Sequence, residues 1–237
     1  MAQYALTGHV FVCLQGEHVV FLDVLNDRYF CLEAARTASL GAIVPGWPVA
    51  GTTHLPEIPT ADDSSPIVAL LVERGLLSLD ARSGKSATPV CVDPGTSELT
   101  ADTYQGSNRA GVACITRFTA CAVRTSFTLR FRPFARVVER VRLRNQRHTA
   151  DAFDEDRAHR LIAMFTSLRP FFFTAKDMCL FETLALSEFL AQHDLFPRWV
   201  FGVRARPFAA HCWLQHGAIL LNDTLDHIGR YTPIMVV

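Results

Sequence analysis

The sequence lacks a long apolar run, a basic segment at its start and an excess of charge of either sign. No stretch approaches the roughly 18 consecutive apolar residues that a membrane helix needs, and residues 1–4 carry no basic side chain of the kind that begins a signal peptide. With 23 basic and 23 acidic residues in 237, the chain has no overall field that would favour nucleic acid or an anionic membrane. These absences predict a cytoplasmic protein without a membrane or nucleic-acid partner.

Paired cysteine clusters are also missing. Seven cysteines, an odd number, are spread from Cys13 to Cys212, which is not the pattern of a disulfide framework. We therefore expect reduced thiols, of which one or two at most take part in chemistry. The 49% hydrophobic and 19% charged residues exclude a disordered chain or a coiled coil, and the length suits one large domain or two small ones. The composition along the chain favours two.

The N-terminal segment, residues 1–81, has the pattern of short strands followed by helices. Alternating and contiguous apolar residues predict strands over 10–15, 19–24 and 28–32, and the Asn26–Asp27 pair suits a tight turn between the last two. Helices are predicted over 33–43 and 64–74, with a proline-rich loop over 41–61 between them. This order of sheet, helix, loop and helix is typical of a winged-helix-like domain.

The rest of the chain divides into a linker and a second domain. Residues 82–111 are rich in Ser, Thr, Gly, Pro and Asp, which predicts an exposed inter-domain linker. Segment 112–237 has helical patterns over 133–147 and 153–168 and a third that follows Asp177. Strands are predicted next, over 199–204, 208–215 and 218–221. The predicted fold class is therefore α+β, with a small winged-helix-like domain at 1–81 and helices followed by an antiparallel sheet at 112–237.

Three residues of the second domain have the order of a thiol-hydrolase triad. Cys179 lies near the start of a predicted helix, where the positive end of the helix dipole favours a thiolate, and His211 and Asp223 follow on successive strands. In this arrangement His211 takes the thiol proton and delivers it to the leaving amine, while Asp223 orients the imidazole. The alternative interpretation is that Cys179 is a core residue and His211 an ordinary polar group.

The third member of the triad depends on the register of the predicted hairpin. A three-residue turn over 216–218 places His211 across from Asp223, whereas a two-residue turn pairs His211 with Asn222. Since asparagine can also orient a catalytic histidine, both residues stay open as the orienter.

Neither metal nor nucleotide chemistry is predicted. His211, Cys212 and His216 cluster in sequence, but adjacent strand residues point to opposite faces and no Cys-x-x-Cys pair accompanies them. On this argument Cys212 is a packing residue. The Gly-Lys-Ser at 84–86 lacks the upstream glycine of a phosphate-binding loop. We therefore expect no metal and no cofactor.

Several segments of the second domain carry a recognisable signature. They are Cys179-Leu-Phe-Glu-Thr-Leu-Ala-Leu-Ser-Glu-Phe-Leu, Val200-Phe-Gly-Val-Arg204, Pro207-Phe-Ala-Ala-His211-Cys-Trp213 and Leu221-Asn-Asp223. Over about residues 115–225 the chain resembles the transglutaminase-like B protein of lasso peptide biosynthesis, which is a leader peptidase. The resemblance implies a cysteine peptidase with Cys179 as nucleophile, His211 as general base and acid, and Asp223 as orienter.

The N-terminal block carries a second, shorter resemblance. The segment Val20-Phe-Leu-Asp-Val-Leu-Asn-Asp-Arg-Tyr-Phe-Cys-Leu-Glu33 is similar to the PqqD-like precursor-recognition element. Together the two resemblances imply a fused protein in which residues 1–81 bind the leader of a ribosomally made lasso precursor peptide and residues 112–237 remove it. A separate asparagine synthetase-like cyclase, the second implied partner, then joins the freed amine to an acidic side chain.

The leader is expected to add as a strand to the edge of the N-terminal sheet, next to the helix over 64–74. The leader-binding candidates are Arg28, Tyr29, Phe30, Cys31, Leu32, Val68 and Leu71. The alternative is that the apolar members of this set are core residues.

Two other classes of function stay open. A transglutaminase-type acyltransferase would use the same triad, and the mass of the product, an amine adduct or a free acid, distinguishes the two reactions. A winged-helix regulator that binds nucleic acid would account for nine arginines between Arg117 and Arg147 against a single acid, Glu139. The helix over 64–74 argues against that regulator because it lacks a cluster of basic side chains. The arginines of helix 133–147 are interpreted as a solvated face or as a docking surface for an acidic partner.

Overall fold

The computed structural model describes residues 4–49, 66–80, 83–106, 111–148, 153–171 and 179–237. Most of the predicted loop over 41–61, the start of the helix over 64–74, and Asp177 lie outside these ranges. The strands are β1 Ala5–Thr7, β2 Val10–Gln15, β3 His18–Asp23, β4 Arg28–Glu33, β5 Leu77–Ser78, β6 Gly84–Lys85, β7 Ser97–Glu98, β8 Arg198–Arg204, β9 Ala209–His216, β10 Ile219–Leu220 and β11 Thr232–Val236. The α-helices are α1 Ala34–Thr37, α2 Pro66–Glu73, α3 Val112–Phe131, α4 Phe134–Gln146, α5 Glu155–Leu168, α6 Cys179–Ala191 and α7 Leu225–Ile228.

The predicted N-terminal sheet is present, with antiparallel strands in the order β2–β3–β4. β3 is almost continuously apolar because it lies in the centre of the sheet, and its residues 19–22 are fully buried. The turn after β3 is stabilised by Asp23, whose Oδ1 accepts hydrogen bonds from the backbone N–H groups of Leu25 and Asn26 at 3.1 Å each. Asp27 completes this turn with a positive φ of 51°, a conformation that Asp and Asn tolerate better than most residues.

Two helices cover the core of this region. The helix predicted over 33–43 is confirmed as α1 followed by a 3₁₀ turn over Ala38–Ala42, and the one predicted over 64–74 corresponds to α2. Phe21 of β3 packs against Trp47 with ring centroids 5.8 Å apart, and Val68 and Leu71 of α2 belong to the same buried cluster. The structure therefore contains the predicted sheet and helices, while their winged-helix-like arrangement stays a prediction.

The described part of the predicted linker, 82–111, makes main-chain pairings. β6 pairs with β1, and the N–H of the fully buried Ala87 donates to the carbonyl of Pro45 at 2.8 Å. β7 pairs with β10 in parallel, and Thr96 N–H donates to the carbonyl of Ala218 at 2.8 Å. A polar composition signals few apolar side chains, but backbone hydrogen bonds do not need them, which is why composition did not show these strands.

The chain forms two compact units. The first comprises Met1–Cys91 with Val203–Ala209 and Thr232–Met235, and the second comprises Val92–Gly202, Ala210–Tyr231 and Val236–Val237. The predicted division into 1–81, 82–111 and 112–237 is contiguous in sequence, whereas each unit of the structure is assembled from separate segments.

In its described residues the second unit has two α-helices that the sequence analysis did not predict. α4, α5 and α6 correspond to the predicted helices, but the 20-residue α3 and the four-residue α7 were not predicted. The buried face of α3 includes Phe118, whose ring packs edge-to-face against those of Phe165 of α5 and Phe189 of α6, with centroid distances of 5.0 and 6.4 Å. This aromatic cluster joins the three helices. None of the helices in the described ranges is both long and apolar enough to cross a membrane.

The arginines of α4 do not form one solvated face. Arg140 and Arg144 donate to the carboxylate of Glu188 on α6 at 2.9 and 3.1 Å, and Arg144 also donates to Ser187 Oγ at 2.6 Å. The Arg144 side chain is only 18% exposed. Arg144 is therefore not part of a solvated face, because an acidic partner lies on the neighbouring helix, whereas Arg140 is ion-paired but remains 37% exposed. Docking of an acidic partner on this helix stays a prediction.

The C-terminal sheet has the strand order β11–β8–β9–β10–β7. The strands predicted over 199–204, 208–215 and 218–221 are confirmed as β8, β9 and the shorter β10. Neither of the two predicted registers occurs. In the observed register Ile219 pairs with His216 and Leu220 with Gln215, so that only Gly217 and Ala218 form the turn. His211 therefore lies across from neither Asn222 nor Asp223, and the regular strand ends at Leu220.

Candidate active site

Cys179 is the first described residue of α6, and this helix is held against β9 next to His211. One helical turn beyond Cys179, the hydroxyl of the fully buried Thr183 donates to the carbonyl of Cys212 at 3.2 Å. Residues four apart lie on one face of a helix, so this bond also places Cys179 against β9. The thiol of Cys179 accordingly has hydrogen-bond contacts with Cys212 and His211.

Asp223 reaches His211 although the register does not pair the two residues. The hydrogen bond joins His211 Nε2 to Asp223 Oδ2. After β10 ends, the side chain of Asn222 acts as a main-chain acceptor would, taking the N–H of Leu214 at 2.8 Å, and its Nδ2 donates to Thr183 Oγ1 at 3.1 Å. The chain therefore bends at Asn222 and turns Asp223 towards the imidazole. Asn222, the alternative orienter, has both ends of its amide engaged elsewhere.

His227 is a site residue that the sequence analysis missed. Its Nδ1 bonds to Asp223 Oδ1 at 2.8 Å, and the same oxygen accepts the Thr224 N–H at 2.8 Å. The ring of His227 lies 4.7 Å from that of His211, centroid to centroid. The signal was present as an aspartate four residues before a histidine, a spacing that joins side chains across one helical turn.

The electrostatics of these groups favour a charged Cys179–His211 pair. Hydrogen bonds from Cys212 and His211 lower the pKa of Cys179 to about 4 against the opposing effect of burial. Burial would lower the pKa of His211, but its hydrogen bonds to Asp223 and Cys179 raise it to about 9. The pKa of Asp223 is lowered despite burial, because His211, Thr224 and His227 all donate to it. Between about pH 4 and pH 9 the thiolate and the imidazolium are therefore the stable forms.

Cys212 touches the nucleophile as well as filling the core. The prediction of a packing residue on the opposite strand face accounts for its burial, with only 2% exposed, but not for its contact with Cys179. The thiol of Cys212 and its backbone both make hydrogen-bond contacts with Cys179. The hydrogen bond to Cys179 and burial raise the pKa of Cys212 well above its usual range, so Cys212 stays a neutral thiol beside the thiolate.

An acidic side chain lies one turn into α6. Burial, Asp223 and Cys179 raise the pKa of Glu182, while Arg169, which donates to Glu182 Oε1 at 2.6 Å, opposes that rise. Glu182 thus adds negative charge near the nucleophile, and Arg169 compensates for it.

One group in the described residues has the composition of a metal site. The ligand atoms of His211, Asp223 and His227 all lie within 4.8 Å of one another. These atoms already form hydrogen bonds among themselves, so a cation would have to replace those bonds. The cluster considered from sequence, with His216, is different, and the His216 ring stacks on Phe153 at 4.0 Å.

The leader-binding candidates lie in the first unit. β4 forms an edge of its sheet within the described chain, with Arg28 and Cys31 exposed and Tyr29, Phe30 and Leu32 half-buried. Val68 and Leu71 are 2% exposed and belong to the core, so neither side chain is available at the surface to contact a peptide.

A cavity of about 360 Å³ lies beside β4. It is lined by Asp23, Asn26, Arg28, Phe30 and Arg74. The Arg74 guanidinium lies 5.6 Å from the centroid of the Phe30 ring, a cation–π contact that joins α2's end to the edge strand.

Comparison with known proteins identifies the C-terminal region. Residues 121–236, just under half of the chain, match the family described as Transglutaminase-like superfamily. No curated protein and no solved structure matches the chain. The matched region contains Cys179, His211 and Asp223, and the chain therefore carries a transglutaminase-like domain that spans all three.

Alkylation by iodoacetamide should select Cys179. With a pKa of about 4, its thiol is ionised at about pH 6, whereas Cys13 and Cys121, with pKa values of about 12, are protonated. We expect Cys179 to react at least about tenfold faster than the other cysteines, and His211→Ala to remove that lead because it removes the imidazolium. Peptide mass spectrometry of each cysteine measures this, and equal rates for all seven would contradict the assigned pair.

Substitutions at two neighbouring positions should show which of them orients His211. Asp223→Ala should slow alkylation of Cys179 at about pH 6, because it removes the partner of His211, and it should also cost stability, since the Thr224 N–H and His227 lose their acceptor. Asn222→Ala should lower the free energy of unfolding by about 1–3 kcal/mol, since it leaves the Leu214 N–H without its acceptor. Urea denaturation and alkylation rates of both variants check the assignment. If Asn222→Ala proved stable and abolished the reactivity, Asn222 would be the orienter instead.

Proposed function

We propose, on the premise that residues 121–236 form a transglutaminase-like superfamily domain, that the protein is a cysteine peptidase that removes the leader of a ribosomally made precursor peptide. The observation that carries the proposal is the contact of Cys179 with His211 together with the hydrogen bond of His211 to Asp223. This superfamily has the fold of cysteine proteases and acyltransferases. Both activities begin with a thiolate nucleophile, which the lowered pKa of Cys179 supplies.

The first half of the proposed reaction forms a thioester. The Cys179 thiolate attacks the carbonyl carbon of the peptide bond, and the negative charge moves to the carbonyl oxygen, for which the Cys179 backbone N–H is the proposed donor. Since Nε2 of His211 is bound to Asp223, Nδ1 is the nitrogen that faces the reacting atoms. It donates its proton to the leaving amine as the C–N bond breaks. The amine product is the free N-terminus of the core peptide.

The second half hydrolyses the thioester. His211, neutral after the first half, takes a proton from water through Nδ1 while the water oxygen attacks the thioester carbonyl. Collapse of the intermediate breaks the C–S bond, which releases the leader as a carboxylic acid and restores the thiolate–imidazolium pair. The pKa of His211, about 9, keeps the imidazolium as the stable form at the end of the cycle.

The leader-binding part of the proposal is supported by the N-terminal unit. The edge strand β4 offers main-chain groups to an extended peptide, which can add as a fourth strand to the order β2–β3–β4. The cavity beside β4, with Arg28, Arg74 and Phe30 in its wall, is a pocket for one side chain of that peptide. The resemblance to PqqD-like elements and to lasso B proteins points to a lasso precursor, with a separate cyclase as the consumer of the freed amine.

The winged-helix nucleic-acid alternative loses support from the engagement of two arginines. Arg140 and Arg144 are paired with Glu188, so they are not available as a phosphate-binding row. The acyltransferase alternative shares every step up to the thioester and differs only in whether water or an amine attacks it.

Cleavage of a library of proteome-derived peptides in heavy-oxygen water, with and without added methylamine, distinguishes these reactions. We expect new C-termini that carry the heavy oxygen, because water attacks the thioester, and free amines on the other fragment. Tandem mass spectrometry reads both ends. Methylamide products in place of acids would show an acyltransferase.

Cys179→Ala is the matched control for that experiment, because it removes the nucleophilic sulfur alone. Products that persist in this variant come from a contaminant. If neither acids nor methylamides form while Cys179 remains the fastest-alkylated cysteine, the proposal of a peptidase acting without a partner is wrong.

Leader binding predicts a length-dependent defect in β4 variants. Arg28→Glu reverses the charge at the exposed start of β4, so cleavage of peptides longer than about 20 residues should fall several-fold, with Cys179 alkylation unchanged. Arg36→Glu makes the same charge reversal on the exposed surface of α1 and is the control. Equal cleavage by the two variants would contradict recognition at β4.

A further inference from the structure

We propose that His227 is a positioning residue that holds the Asp223 carboxylate in the orientation in which it aligns His211. This inference rests on the proposed function, since it concerns the same triad. It assigns a fourth residue to the site, which acts through Asp223 and does not touch the reacting atoms.

The evidence is the way in which the carboxylate is shared. Oδ2 of Asp223 is bound to His211, and Oδ1 is held by the Thr224 N–H and by His227 Nδ1 at 2.8 Å each. The Asp223 side chain is 9% exposed, so solvent offers little replacement for a lost donor. Both oxygens are therefore occupied by protein groups, and the carboxylate plane cannot turn without breaking one of these bonds.

His227 itself is fixed by its surroundings. α7 begins after Thr224, whose Oγ1 accepts the His227 N–H at 3.3 Å, and the Leu225 N–H donates to Glu98 Oε2 at 2.9 Å. The His227 ring packs edge-to-face on Tyr231 with centroids 5.5 Å apart. A ring held at its backbone and on its face can fix the carboxylate that it binds.

The titratable groups around this network come from several elements. Cys179 and Glu182 lie on α6, His211 on β9, and Asp223 on the bend before α7. Glu98 of β7 accepts the Leu225 N–H, and Arg169, which precedes α6, binds Glu182. The hydrogen bonds of His211 to Asp223 and Cys179 favour the imidazolium against burial, and the bond to Asp223 requires a carboxylate oxygen that is turned towards Nε2. This makes the orientation of the carboxylate, and not merely its charge, the quantity that His227 controls.

A purely electronic role for His227 predicts the opposite result. A donor to Oδ1 withdraws charge from the carboxylate, so its removal would strengthen the acceptor that faces His211. Orientation and charge withdrawal thus act in opposite directions, and a single measurement separates them.

The experiment is alkylation of Cys179 by iodoacetamide as a function of pH in three variants of the full chain. His227→Phe keeps an aromatic ring against Tyr231 but has no donor, and His227→Asn keeps a donor close to the position of Nδ1. We expect His227→Phe to shift the midpoint of the profile upward by about one pH unit, which lowers the rate at about pH 4, near the wild-type midpoint, by about fivefold. The alkylation rate of His227→Asn should stay within about threefold of the wild-type rate. His216→Phe changes a histidine outside the network, and its rate should equal that of the wild type.

The outcomes are distinguishable. The positioning role is overturned if Cys179 of His227→Phe is alkylated as fast as that of the wild type or faster. It is also overturned if His227→Phe and His227→Asn lose the same fraction of the alkylation rate while their melting temperatures are unchanged. If the wild-type Cys179 is itself no faster than the other cysteines, the proposed function fails, and not only the role of His227. If His227→Phe unfolds, the comparison of His227→Asn with His227→Ala under native conditions gives the same test, with Asn expected to be the faster.

Discussion

The hydrogen bonds of the Asp223 carboxylate are the constraint on which the site depends. This side chain receives His211 on one oxygen and Thr224 and His227 on the other, and it is almost entirely shielded from water. In such surroundings a carboxylate is costly unless it is fully bonded, and here every donor that satisfies it also fixes its direction. The raised pKa of His211 follows from this arrangement, and the lowered pKa of Cys179 follows from its hydrogen bonds with Cys212 and with that histidine.

The packing around the triad explains why these side chains meet. Gly202 lets the Trp213 ring approach β8 closely, because a Cβ at that position would lie 2.7 Å from a ring carbon. Thr183 and Asn222 then join α6, β9 and the bend after β10 by hydrogen bonds. None of these residues belongs to the proposed triad, yet their hydrogen bonds hold α6 and the bend after β10 against β9, which carries His211.

The N-terminal unit has a different design. Its central strand β3 is buried on both faces, while β4 forms the edge and carries the exposed and half-buried candidates for peptide binding. The core residues Val68 and Leu71 keep α2 in place behind that strand. An edge strand with a rigid core behind it can gain a peptide strand with little reorganisation, which is the physical basis of the proposed leader recognition.

The sequence by itself determined the strands β2–β4, the helices α4 to α6 and the two candidates Cys179 and His211, because alternation, helical spacing and the order of these two residues are local or ordinal properties. It did not determine α3, the pairings of Gly84–Lys85 and Ser97–Glu98, or the pairing of Arg140 and Arg144 with Glu188, since each of these depends on distant partners. Tertiary structure also decided between Asn222 and Asp223. The observed hairpin register pairs His211 with neither of these residues. Asp223 turns towards His211 at a bend that arises because the side chain of Asn222 replaces a main-chain acceptor. No local sequence pattern specifies that interaction.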